Sequence, residues 1–245
     1  MNLAESLTGP RTLAGRAESA IQEAILDGEF APGTRLTIDE LARSLSLSPM
    51  PVRDALRNLA STGFVEYAPH RGATVAELSI ADLRDTWDAR IALETVAIRR
   101  AAESFATPHR AQVEASIQRH SVCLQAEDHR SARAAHRELH MGLYRPSAYN
   151  WLDRLVGPVW IRSERYRSYA LAERGGAKQL AEEHTRLLEA CTDHDPNAAA
   201  DRLYVHLVRT ANLVAEKLTG EQLFNETPPL SLGDVGAAES ATVPA

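Results

Sequence analysis

Two prolines separated by one residue, Pro49 and Pro51, constrain this chain more than any other feature. A proline is tolerated in an α-helix only in the first turn, where its missing N–H has no intrahelical acceptor to serve. Helical spacing of apolar residues continues from Val52 through Leu56, Leu59 and Ala60, and Gly63 ends it. A helix therefore starts at Pro49, with Ser48 in the cap position, and runs to about Thr62. Upstream, Ala17, Ile21, Ala24 and Ile25 recur at helical spacing up to Gly28, and Pro32-Gly33 marks a turn. Thr37 and Glu40 have the spacing of a capping box opening a short helix that contains Leu41, Ala42 and Leu45. Downstream, Phe64-Val65-Glu66-Tyr67, the turn Pro69-His70-Arg71-Gly72 and Ala73-Thr74-Val75 read as a hairpin. Three helices and a hairpin in this order outline a winged helix-turn-helix.

The remainder reads as helical. Ser79 and Asp82 have a capping pattern before a long helix with Leu83, Trp87, Ile91 and Ile98 on one stripe. Further helices are expected over 108–126, 129–145, 148–170, 177–193 and 196–217, with breaks at Pro108, Pro146, Gly175-Gly176 and Pro196. The expected fold class is mainly α: a winged helix-turn-helix over 14–76 and an all-α bundle over 77–218. Residues 1–13 are expected to be a flexible start, and 219–245 a disordered acidic tail.

Charge position matters more than net charge. The chain carries 27 basic and 33 acidic side chains, a formal charge of -6, which taken alone leans against nucleic acid. The last segment, however, holds Glu221, Glu226, Asp234 and Glu239 without a cation, so -4 of the -6 lies there. Only Lys178 and Lys217 are lysines; the other cations are arginines, which suit bidentate contacts to phosphate and guanine. Cys123 and Cys191 match no disulfide or zinc-ribbon spacing and are expected to be reduced thiols in a cytoplasmic protein. No secretory signal or membrane-spanning run is present in the sequence.

On the Pro49 helix, Met50, Arg53 and Arg57 lie opposite the apolar face. Recognition helices read bases from their first residues, which places Ser48, Pro49 and Met50 at the groove edge and Arg53 and Arg57 within reach of phosphate. Thr37 at the preceding helix start, and His70, Arg71 and Gly72 at the hairpin tip along the minor groove, complete the expected DNA surface. So few cations imply a modest salt slope per head.

The segments "G-x-x-x-P-G-x-x-L" (Gly28 to Leu36), "L-A-x-x-L-x-x-S-x-x-P-V-R-x-A-L-x-x-L" (Leu41 to Leu59), "G-F-V" and "R-G-A-x-V" resemble the DNA-binding domain of GntR-type bacterial transcriptional regulators. Many members carry arginine after the capping serine, where this chain has Pro49; the arginine of "P-V-R" is retained as Arg53, the strongest single expected DNA contact. "L-S-x-x-D-L-x-x-x-x-x-x-R-x-x-L-E" (Leu78 to Glu94) is similar to the start of the FCD ligand-binding domain of the FadR subfamily. The resemblance implies a homodimer on near-palindromic operator DNA, regulated by a small effector, usually a carboxylate, in a helical bundle that often holds a metal ion.

His136 and His140 stand at i, i+4 on one helix, and His184 and His206 fall one on each of the last two helices. In the resembled family an acidic residue usually stands where this chain has His136. Four imidazoles favour a borderline divalent ion such as zinc or nickel, with copper also compatible. The alternative is that His136 hydrogen-bonds the effector instead. His109, His120, His129 and His194 are expected at the surface. Arg90 and Glu94 are spaced for a surface ion pair, while the resemblance turns Arg90 inward to hold an effector carboxylate.

Two other functions are weighed. "H-R-E-L-H" superficially resembles the zincin motif H-E-x-x-H of metal-dependent hydrolases, but Glu138 stands two residues after His136 instead of one, roughly 200° around the helix from that histidine and away from a metal. An effector-free dimerisation bundle would keep the fold without the pocket. Trp151, Trp160, Tyr166 and Tyr169 suit either core or pocket lining.

Overall fold

The computed structural model describes residues 12–68, 72–149, 151–170 and 177–228. In chain order these form α1 (Leu13–Leu26), β1 (Arg35–Leu36), α2 (Ile38–Leu45), α3 (Pro49–Ser61), β2 (Val65–Ala68) and β3 (Gly72–Val75). Then follow α4 (Ile80–Ala102), α5 (Thr107–Gln125), α6 (His129–Tyr144), a 3₁₀ turn (Arg145–Ser147), α7 (Leu152–Ala170), α8 (Ala177–Thr192) and α9 (Pro196–Thr219). The fold class is mainly α with a small sheet, as the residue patterns require. No helix among the described residues is long and apolar enough to cross a membrane.

Backbone contacts divide the chain into two units, Met1–Leu83 with Pro158–Ala172, and Arg84–Gly157 with Glu173–Ala245. Helices α4 and α7 each contribute to both. The division along α7 falls at Gly157–Pro158, and Pro158 cannot donate the helix hydrogen bond expected at its position.

In the first unit, Ala17, Ile21, Leu45, Val52, Leu56, Leu59 and Phe64 form one fully buried cluster, which Ile161 of α7 also joins. The sheet order is β1-β3-β2, with Arg35 opposite Thr74 and Val65 opposite Val75. The third strand, β1, is an addition to the expected hairpin: two residues are too short to recognise without their partner. Thr12 caps α1 by accepting from the Gly15 N–H at 3.1 Å.

The carboxy-terminal part of α7 is tied to this unit by polar contacts. Arg165 is buried and donates to the carbonyls of Ala76 (2.6 Å), Glu77 (3.0 Å) and Gly63. Gly63 follows α3, and Ala76 and Glu77 follow β3, so one guanidinium fork fixes the ends of both elements. Asp82, at the start of α4, accepts from Arg162 Nε at 2.7 Å and from the Tyr166 hydroxyl at 2.6 Å. Burial, with that hydrogen bond, pushes the Tyr166 phenol up to about 12. The Asp82 N–H also donates to Ser79 Oγ at 3.1 Å, realising the cap.

In the second unit, α5 packs on α6 and α8, and α8 on α9. The Trp87 indole of α4 donates to the Leu207 carbonyl of α9 at 2.8 Å. Trp160 and Tyr166 are core residues of the first unit, whereas Trp151 is 62% and Tyr169 37% exposed. Disorder from residue 219 is not what the structure has: Asn212 Oδ1 accepts from the N–H groups of Leu223 (3.0 Å) and Phe224 (2.8 Å), holding 221–228 against α9. The rest of the expected tail lies outside the described residues.

Replacing Arg165 by alanine leaves three carbonyls without their charged donor. We expect Arg165→Ala to lower unfolding stability by about 3 kcal/mol in urea titration, with Arg165→Lys recovering only part because an ammonium cannot fork.

Candidate nucleic-acid interface and candidate metal centre

Helix α3 presents one apolar and one polar face. Val52, Ala55, Leu56 and Leu59 are buried. Met50, Arg53, Asp54 and Arg57, at i, i+3, i+4 and i+7, are exposed on the opposite side. Arg57 lies 3.8 Å from Asp54, while no hydrogen bond or ion pair engages Arg53 among the described residues. Asp54 adds an anion to a face whose residue pattern suggested only Met50 and cations, although its i+4 spacing from Met50 places it there.

Ser48 is the N-cap of α3, but its hydroxyl makes no capping hydrogen bond. The reason is in the next three residues. A serine cap bonds the N–H of N2 or N3, and N3 is Pro51, which has none. Thr37 likewise stands at the N-cap of α2 without a side-chain capping bond, so the expected box with Glu40 is not formed. Both hydroxyls remain on the exposed surface. Gly72 opens β3 at φ +89°, a conformation that L residues rarely adopt. His70 and Arg71 lie outside the described residues.

The second site is a histidine core. His136, His140, His184 and His206 are all buried, and one ligand atom from each lies within 4.8 Å of the others. Helix α6 supplies the first two, one turn apart, and α8 and α9 supply one each. His120 of α5, expected at the surface, is in fact 3% exposed, with its ring 5.0 Å from that of His136 and 5.5 Å from that of His184. It belongs to the buried stripe Val113, Ser116, Ile117, His120, whose i, i+3, i+4, i+7 spacing would have revealed it. His129 and His194 are exposed and His109 is half-buried.

A line of hydrogen bonds orients His140. Arg90 and Glu94 form a buried pair, 1% and 0% exposed, with Arg90 Nε 2.6 Å from Glu94 Oε1. Of the two readings of Arg90 and Glu94, the surface ion pair does not hold, and Arg90 is turned inward as the family resemblance implied. Tyr144 donates its hydroxyl to Glu94 Oε2 at 2.6 Å. Burial, and then the negative charge of Glu94, push the Tyr144 phenol well above its ordinary value, so it stays a donor. Its oxygen lone pair faces His140 Nδ1 at 2.9 Å, which puts the imidazole proton on Nδ1 and the lone pair on Nε2. His140 Nε2 points at His136 Nε2, 3.1 Å away, a separation that suits a hydrogen bond or two ligands of one cation. On the far side, His206 Nδ1 is 3.0 Å from Glu183 Oε2, the carboxylate–histidine pairing that turns the other ring nitrogen toward a ligand.

Two family descriptions match this chain, "Bacterial regulatory proteins, gntR family" over residues 13–75 and "FCD domain" over residues 85–209. The chain belongs to the GntR family, with an FCD domain after its DNA-binding domain. Among its relatives is the uncharacterized HTH-type transcriptional regulator BphR of Paraburkholderia xenovorans, 28% identical over 202 residues, 78% of this chain and 81% of BphR. Another is the HTH-type transcriptional regulator McbR of Escherichia coli, 25% identical over 147 residues, 60% of this chain and 66% of McbR. The solved structure of E. coli McbR has the same fold, with a TM-score of 0.72 at 22% identity, covering 86% of this chain and 100% of that one.

This GntR-family chain is a DNA-binding transcriptional regulator, not an enzyme. The geometry agrees with that on the one zincin-like motif. Glu138, between the two α6 histidines, is about half exposed and pairs with Arg119, so it supplies no general base to the histidine core.

Removing one partner of the interior ion pair strands a charge. Arg90→Met is expected to cost about 3–5 kcal/mol of stability, and Glu94→Leu added to it to restore a measurable part, read by urea unfolding of the three proteins.

Proposed function

We propose that this regulator is a cytoplasmic homodimer whose hold on a near-palindromic operator is modulated by a carboxylate effector bound beside a divalent metal ion. The observation that carries the metal reading is the buried four-histidine core. The donor set fits such an ion: four imidazoles with mutually close ligand atoms, two of them oriented by Tyr144 and Glu183 through their Nδ1 positions. His136, His140, His184 and His206 would hold it, and an all-nitrogen set favours zinc or nickel over an oxygen-seeking ion. Bound there, the ion would offer a Lewis-acidic position to an anionic ligand.

On this reading Arg90 takes the effector carboxylate by exchanging it for Glu94. Glu94 also accepts from Tyr144, and Tyr144 meets His140, so the exchange disturbs the orientation of a metal-binding residue. By linkage, an effector that weakens DNA binding must itself bind the DNA complex less tightly. DNA is held by Ser48, Pro49, Met50, Arg53 and Arg57 of α3, with Thr37 and the wing residues His70, Arg71 and Gly72 alongside.

Metal analysis of protein purified without chelator tests the first part. About one zinc or nickel per chain is expected, with His140→Ala and His184→Ala losing it. Chelation should lower the melting temperature by roughly 10 °C, the scale for a ligand present far above its Kd. Protein that is fully folded, metal-free and unmoved by chelator overturns the metal reading, and if a panel of carboxylates then gives no thermal shift, an effector-free dimerisation bundle is what is left. For the DNA part, Arg53→Ala is expected to weaken binding at least tenfold in a shift assay at modest salt, on specific and bulk DNA alike.

A further inference from the structure

The reading end of α3 is apolar. Met50 is 73% exposed, the most exposed large apolar residue of the described chain. Pro49 and Pro51 flank it in the first turn, and Pro49 is also exposed. Neither proline has an N–H, and a thioether is at best a weak acceptor. Of the three residues that open the helix, only the Met50 N–H can donate. The charged members of the same face, Arg53, Asp54 and Arg57, sit one and two turns further along.

Base edges in the major groove offer one apolar group, the C5-methyl of thymine. Apart from the small C5–H of cytosine, the other edge groups there are donors or acceptors that lose water when an apolar side chain covers them, with nothing returned. A methionine chain is flexible and polarizable, so it can settle over a methyl without a fixed rotamer. We propose that Met50 is a specificity residue that reads a thymine methyl in each half-site, with Pro49 closing the same apolar contact. This rests on α3 being the helix that enters the major groove.

The proposal separates the methyl from every hydrogen-bonding group of the base. Deoxyuridine keeps all polar atoms of thymidine and lacks only C5-methyl. The full-length protein is first used to select a preferred duplex from a random pool. Each thymine of that duplex is then replaced singly by deoxyuridine, and affinity is read by fluorescence anisotropy at fixed salt. One thymine per half-site should show a loss of about fourfold, the scale of one buried methyl. Met50→Ala should remove that loss, binding the thymidine and deoxyuridine duplexes alike; circular dichroism checks that this exposed variant is folded.

If no thymine responds in the parent protein, or if Met50→Ala keeps the response, the assignment is wrong. Arg53→Ala on the same duplex separates the two levels. Loss of affinity there without a methyl effect overturns the Met50 assignment alone. No loss in either experiment overturns the placement of α3 in the groove as well.

Discussion

Five imidazoles, a carboxylate and a guanidinium share the interior of the second unit, and the cost of burying them governs how its helices are arranged. Each polar atom taken from water must meet a partner of opposite character. For Arg90, Glu94, Tyr144 and His140 the demand is met in series. Arg90 neutralises Glu94, Glu94 accepts from Tyr144, and Tyr144 in turn accepts from His140. The series draws on α4 and α6, and the rings of His120, His184 and His206 bring α5, α8 and α9 to the same place. An apolar core would tolerate small slides of one helix on another. Hydrogen bonds of 2.6–2.9 Å do not, so this polar interior also fixes register.

The first unit solves a different problem. Its helix α3 has two prolines in the first turn, which preset the backbone but remove donors from the helix start. The helix start is therefore firm in position and poor in hydrogen bonds. Its other end is held from outside the motif, by Arg165 on the Gly63 carbonyl. A head limited to residues up to Leu83 would lack that contact, and part of α7 is structurally its own.

Much of this was legible in the residues. Prolines, glycines and capping residues located the helices to within a few positions, because their backbone restrictions act locally. The four-histidine set was legible too, since helix spacing and one residue per helix were enough to suggest convergence. What escaped depended on partners distant in the chain. Strand β1 exists only against β3, and the partner of Glu94 beyond Arg90 is Tyr144, fifty residues away; the spacing of Arg90 and Glu94 alone suggested a surface pair, and only the family resemblance turned Arg90 inward. His120 was recoverable from its own stripe, but a lone histidine carries no mark that distinguishes core from surface. Asn212 shows the same limit at closer range: its amide fits the backbone of Leu223 and Phe224 only because the chain reverses after Gly220.

The two lysines lie on α8 and α9, and both cations on the exposed face of α3, the face proposed to meet DNA, are arginines. A guanidinium stays charged at any pH a cell reaches, and it is not a substrate for lysine acetylation. The charge this helix offers to phosphate is thus a constant. Neither acidification nor acyl-transfer signalling can switch it off. On the proposed reading, control over the contact that α3 makes is left to ionic strength, to partners, or to movement of the heads themselves.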